Sequence, residues 1–131
     1  MAVALSAKVL LGTNETTGVT IADAATSTGS EVDLLGDGLS MGYANFYVKY
    51  TGTGTTASGL RVRIAPSRIS GQNYIDQLPA ANIKTYTPIN GTEKIFLGTF
   101  IIGRFVVVDV RNTSGASMTN VFVAAEVLKM T

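Results

Sequence analysis

Alternation with a period of two runs through this chain from end to end, and it restricts the fold to one built of strands. The pattern is clearest from Tyr43 to Tyr50. There Ala44, Phe46, Val48 and Tyr50 share one face, and Tyr43, Asn45, Tyr47 and Lys49 take the other. Leu60, Val62 and Ile64 alternate with Arg61 and Arg63, which predicts a half-buried strand with a wet face, ended by Pro66. Lys94 to Phe100, Phe105 to Val110 and Asn120 to Leu128 are rich in β-branched and aromatic residues and predict three consecutive antiparallel strands. Between the last two, Asn112 to Ser117 is a turn-type cluster, because Asn and Gly tolerate positive φ and Ser bonds its own backbone. It predicts a hairpin. Shorter candidates lie at Ala4 to Leu11, Val19 to Ala22, Glu31 to Leu35 and Ile83 to Thr87.

About eight strands separated by frequent turn signals are the pattern of an all-β protein, an antiparallel two-sheet sandwich of jelly-roll-like type. Helix is confined to one-turn pieces near Ile21 to Ala25 and Asn73 to Leu78, the second stopped by Pro79. Gly52 to Gly59 reads as a flexible strand connection. Ser67 to Asn82 is long for a loop in a compact domain, and its Ile69, Tyr74, Ile75 and Leu78 predict that it packs on its own sandwich or on a neighbour. With 131 residues and no linker or repeat, the expectation is one domain over 1–131, with a possible N-terminal arm at 1–11 suited to strand addition.

Hydrophobic residues make up 46% and charged residues only 15%, enough for a core but little charge for a free monomer's surface, so part of that surface is expected to be covered. A net charge of +1 without basic clusters argues against direct nucleic-acid binding. The nearest thing to a patch, Arg61, Arg63 and Arg68, reads as a solvated strand face. No apolar run is long enough to span a membrane, and the N-terminus lacks the pattern of a signal peptide, so a soluble, unprocessed chain is expected. Cysteine, histidine and tryptophan are all absent; the fold rests on packing and strand pairing, as suits synthesis in a reducing cytoplasm.

Without histidine or cysteine, Ser-His-Asp triads, Cys-His pairs, most zinc sites and haem attachment are closed to a single chain. Paired carboxylates remain. Asp33 and Asp37 are the nearest in sequence, and with Asp109 they define a carboxylate-enzyme reading; the plainer reading of Asp33 and Asp37 is that they shape the turn after a strand. Gly52, Gly54 and Gly59 lack the spacing and the following helix of a phosphate loop. Asn14, Asn90 and Asn112 head Asn-x-Ser/Thr sequences that chance explains in a chain so rich in Ser and Thr. No enzyme activity, metal or cofactor is expected. The interface candidates are Tyr43 and Tyr47, outward on one strand, together with Arg68, Tyr74, Ile75 and Tyr86.

Taken whole, the sequence resembles the jelly-roll capsid cement, or decoration, proteins of short-tailed bacteriophages. The likeness runs through Ala24-Ala25-Thr26-Ser27-Thr28 into Glu31-Val32-Asp33-Leu34-Leu35-Gly36, then Gly38 and Phe46-Tyr47-Val48-Lys49-Tyr50. It resumes in Phe105 to Asn112, a Gly/Ser/Thr turn and Val121 to Leu128. Ser67 to Asn90 has no counterpart. The resemblance implies a structural virion protein on the outer capsid surface, made in the host cytoplasm, that bridges major capsid subunits and pairs or forms trimers. The competing expectation is a carbohydrate- or receptor-binding β-sandwich module of a phage fibre or tail, which the lack of tryptophan weakens.

Overall fold

A computed structural model describes residues 3–36, 42–67, 69–72 and 75–130. Ten strands form: β1 (Val3–Leu11), β2 (Val19–Ile21), β3 (Ala25–Thr28), β4 (Val32–Asp33), β5 (Gly42–Gly52), β6 (Leu60–Ser67), β7 (Ile83–Tyr86), β8 (Gly91–Ile102), β9 (Phe105–Asn112) and β10 (Met118–Met130). The only helical pieces among the described residues are two 3-10 turns, Ile75–Gln77 and Ala80–Asn82.

The strands lie in two antiparallel five-stranded sheets. The first runs β1-β10-β5-β8, with β2 continuing along the edge of β10 that β1 occupies. The second runs β3-β9-β6-β7, with β4 likewise beside β3 on β9. Pairings nest about the 67–82 segment: β6 with β7, β5 with β8, β3 and β4 with β9, β1 and β2 with β10. The chain is thus one long hairpin, rolled until β10 also pairs with β5 and β9 with β6. That winding is a jelly roll, and with β1/β2 and β3/β4 each taken as one interrupted strand it has the eight strands expected.

Alternation decides which side chains meet between the sheets. Ala44, Phe46, Val48 and Tyr50 of β5 and Val121, Val123, Ala125 and Val127 of β10 face Leu60, Val62 and Ile64 of β6 and Val106, Val108 and Val110 of β9, all essentially without solvent exposure. Each contributes about 1.5 to 3 kcal/mol by leaving water, alanine less. Phe100 meets Phe46 edge-on at 5.4 Å, a geometry that suits the ring quadrupoles. Where β3 passes to β4 the layers come very close. A Cβ on Gly29 would lie 2.1 Å from the Leu10 carbonyl oxygen, so only glycine fits.

Four expectations need correction. The β6 strand continues through Pro66 to Ser67, because β7 covers only Leu60 to Arg63 and the missing N–H of Pro66 costs no ladder bond on that open side. The last three strands are consecutive but not neighbours: β8 and β10 flank β5, while β9 lies in the opposite sheet. Asn112 to Ser117 is accordingly a crossing between sheets, not a hairpin. Turn residues announce a reversal of the chain, not the layer it enters. Ile21 to Ala25 is not helical; β2 ends there, Ala24 turns at φ 64° and β3 begins. The turn expected near Asn73 to Leu78 is present as Ile75–Gln77.

The two long connections are tied to the body of the protein. Gly52 to Gly59 crosses from the first sheet to the second and is held by Thr113 N–H donating to the Gly59 carbonyl (2.8 Å) and the Thr56 hydroxyl to that of Ser114 (3.0 Å). The described residues of the 67–82 stretch fold back on their own sandwich, against β6 and β7 of the second sheet. Asn82 donates to the Ile64 carbonyl, Asp76 pairs with Arg63, and the Ser70 hydroxyl and Gly71 N–H both donate to Glu31. Residues 3–11 of the segment read as a possible arm pair with β10 of the same chain.

Candidate protein-interaction surface

The two sheets differ in what lies on their outer sides. On the second, beside the 67–82 segment, Ala65 and Val107 are buried although they point away from the core. The outer side of the first has a cover at one end only, where residues 12–17 arch over Phe122. Asn14 shapes that arch by accepting from the backbone N–H groups of Thr16 and Thr17. Its tip, Glu15, reaches Lys94 at 2.9 Å, and this bond holds the Glu15 carboxyl below its usual range.

Beyond the arch the face is open and apolar. Strand register sets Val9, Ala124, Tyr47 and Phe96 in one row across four strands, and Leu128, Tyr43 and Ile101 in another. Between them lies a row of Ala7, Glu126, Asn45 and Thr99, polar at all but its β1 position. Phe96 is 54% exposed, Ile101 60%, Tyr43 50% and Val9 40%; these are four of the six exposed large hydrophobic side chains among the described residues. Tyr47 and Phe96 pack with ring centres 5.4 Å apart, and the Lys94 ammonium sits 5.2 Å over the Tyr47 ring. Desolvation first, and then the nearby Glu126 carboxylate, push the Tyr47 phenol above its ordinary pKa, so it stays neutral. A groove of about 280 Å3 runs beside it, with Ala7, Val9, Phe122 and Ala124 supplying apolar walls and Glu15 and Lys94 at its end.

The interface candidates separate on this frame. Tyr43 and Tyr47 stand together on the open face, as their alternation with Phe46 and Val48 predicts. Tyr86 instead packs against the core, where burial raises its pKa. Ile75 sits in the 3-10 turn on the far side of the sandwich. Arg68 and Tyr74 lie outside the described residues. Phe96, Ile101 and Val9 belong to the open face and escaped the sequence reading. Phe96 and Ile101 are five residues apart, which in a regular strand means opposite faces. A bulge at Leu97, with Gly98 at φ 136°, turns both outward, and a glycine inside a strand pattern is the available signal.

Two of the three acids considered for chemistry, Asp33 and Asp109, are engaged by arginines. Asp33 accepts from Arg104 Nε and Nη2 (2.9 and 2.8 Å) and from the Gly36 N–H (2.9 Å), which is the turn-shaping role read for it. Asp109 is buried and held by Nε and Nη2 of Arg63. Asp37 lies outside the described residues. Among the described residues no group of three or more acidic side chains is placed to hold a metal ion. Arg63 is therefore neutralised; Arg61 stands in register beside Arg111, its Nε buried without a partner, and burial followed by Arg63's charge lowers its pKa.

The hydrogen bond from Arg104, the largest influence, keeps the Asp33 carboxyl below its ordinary range. A depressed folded-state pKa adds stability above the unfolded value of about 4 and loses it as pH falls through the folded one. Thermal melts taken from pH 6 downward are therefore expected to show a shallower acid decline for Asp33→Asn than for the parent. Parallel declines would contradict this.

No family model and no curated protein matches the chain. Among solved structures it is similar to a chain from the study of Bacillus endospore appendages as disulfide-linked pili, with 13% identity over 98% of this chain and 88% of that one and a TM-score of 0.47. It is also similar to FlhE (11% identity, 99% and 97% covered, TM-score 0.39) and to the decameric BFDV capsid protein (10%, 96% and 92%, TM-score 0.34). No helix among the described residues is long and apolar enough to cross a membrane. What fold and surface define is a jelly-roll β-sandwich with one outer face shielded by its own chain and the other open and apolar.

Proposed function

We propose that this is a structural virion protein that binds the outside of an assembled phage capsid and cements neighbouring major capsid subunits. The supporting observation is the asymmetry between the outer faces: on one, Ala65, Val107 and Asp109 are buried beside the protein's own Ile75–Gln77 turn, while the other presents Tyr43, Phe96 and Ile101 to solvent. Large apolar side chains gathered on one exposed face, here in two rows with polar groups between them, mark sites where another protein sits. Resemblance to the capsid cement proteins supplies the identity of that protein. Cementing demands no catalysis. It needs a rigid body that touches several subunits, so that each contact after the first is intramolecular and local expansion must break all of them together.

Purified protein mixed with undecorated phage capsids is expected to co-sediment to a saturating, fixed ratio of copies per shell and to raise the capsids' resistance to heat and osmotic shock. Absence of saturable binding, with capsid resistance unchanged, would dispose of the proposal.

A further inference from the structure

The register of the second sheet sets two guanidinium side chains next to each other on its outer face. Arg61 of β6 stands directly opposite Arg111 of β9, and Thr26 of β3 and Thr85 of β7 complete the same row. Both threonines are exposed and both arginines half-buried. In the next row Arg63 pairs with Asp109 beside it and with Asp76 of the Ile75–Gln77 turn.

Like charges opposite each other across an antiparallel pair destabilise it, and a guanidinium does not shed its charge near neutral pH. No direct bond offsets this repulsion. Asp109 and Asp76 both bond Arg63, and neither Arg61 nor Arg111 forms an ion pair among the described residues. Across the two rows three guanidinium groups face two carboxylates, one of which, Asp76, is 86% exposed and screened by solvent. The Nε of Arg61 is moreover buried without a hydrogen-bond partner. A buried donor of this kind is costly, and no group of the chain serves it.

We infer that Arg61 and Arg111, with the Thr26 and Thr85 hydroxyls on either side, form a binding site for a single phosphate or sulfate group. The protein's own ion pairs show what one guanidinium suffices for: Arg104 holds Asp33 and Arg63 holds Asp109, each through Nε and Nη2. One fork takes one carboxylate. Two forks in one row suit an anion with more oxygens and more charge, and a tetrahedral dianion presents oxygens to both. Cross-strand Cβ atoms lie about 5 Å apart, close enough for two arginines to converge on one group. Each threonine stands one strand spacing farther out, roughly 4.8 Å, where its hydroxyl can donate to the same anion. A nucleic-acid strand would need a line of cations. Lys84, the basic neighbour on β7, lies over Phe100 on the opposite side of that strand and does not extend the row. The site is on the sheet opposite the proposed capsid-binding face and does not depend on that reading.

NMR spectra of the arginine Nε–H groups read the site directly. Sodium phosphate and sodium sulfate, titrated at constant ionic strength against sodium chloride, are expected to shift the Arg61 signal saturably, and sodium acetate is not. Arg111→Gln is expected to weaken phosphate binding by at least about tenfold. Phosphate and sulfate stabilise most folds by exclusion from the surface, so melting temperatures are compared between parent and variant. In chloride Arg111→Gln is expected to melt no lower than the parent, because it relieves repulsion; in phosphate the parent is expected to gain more. An Arg61 signal that does not saturate, or equal gains in the two proteins, would overturn the inference. So would an equal response to acetate, which would make this a carboxylate site, or tight, steeply salt-dependent binding of a short DNA duplex, which would make it a nucleic-acid surface.

Discussion

Arg63→Met is expected to lower the unfolding free energy by about 3 to 5 kcal/mol, the range seen when one partner of a buried ion pair is removed. The side chain of Asp109 is only 2% exposed and accepts hydrogen bonds from Nε and Nη2 of Arg63. Removing the guanidinium strands a carboxylate away from water, which costs far more than the pair itself contributes. The second bridge, from Arg63 to Asp76, adds little because Asp76 is 86% exposed and solvent screens it. For the same reason the double variant Arg63→Met/Asp109→Leu is expected to recover most of the loss, since an apolar pair of similar bulk needs no compensation. Urea titration of the parent, the single and the double variant measures both effects. A loss below about 1 kcal/mol in the single variant would show that water reaches Asp109 after all.

Asn112→Leu is expected to cost a similar amount, about 3 to 5 kcal/mol, although it keeps the branched shape and adds apolar surface. Asn112 is fully buried at the end of β9, and its amide closes four bonds: it donates to the Ile21 and Ala116 carbonyls (both 2.8 Å) and accepts from the Ser114 N–H (3.0 Å) and hydroxyl (2.7 Å). One side chain thus ties β2 to the crossing between β9 and β10. Leucine would take the side-chain donor from the buried Ile21 carbonyl and the acceptor from the Ser114 N–H, each costing about 1 to 3 kcal/mol before relaxation, while the Ala116 carbonyl would keep the Ser114 hydroxyl (3.1 Å). Hydrogen exchange should report the loss locally, with faster exchange at β2 and at residues 113–116 than in β5. Unchanged protection there, with stability within about 1 kcal/mol of the parent, would contradict the assigned role.

The strands were legible because their inner residues repeat every second position. Ala44 through Tyr50 and Leu60 through Ile64 state their inner faces directly, and the structure keeps them. What alternation cannot carry is the partner of each strand. The same apolar face serves a hairpin neighbour or a strand across the core, so Asn112 to Ser117 reads as a hairpin until the layers are known. Alternation also fails at bulges. Leu97 shifts Phe96 and Ile101 onto one side, and an extra residue at Leu10 leaves Leu10 and Leu11 both inward and Val9 outward. Those two irregularities account for most of the open face that the sequence did not disclose. Tyr43 and Tyr47 were visible because β5 is regular between them. Asp109 was visible as an acid, but its role depends on Arg63 46 residues away, a pairing that only the β6–β9 register creates.

The claim that the open face of the first sheet is where this protein meets other protein is tested most directly by a triple variant, Tyr43→Ser/Phe96→Ser/Ile101→Ser, titrated against undecorated capsids beside the parent. All three side chains are exposed by half or more, so the variant should keep the parent's circular dichroism spectrum and melting behaviour. Truncating anchors at the centre of an interface costs about 2 kcal/mol or more each, so capsid affinity is expected to fall by at least about 30-fold. A folded triple variant that binds capsids as tightly as the parent would contradict the account.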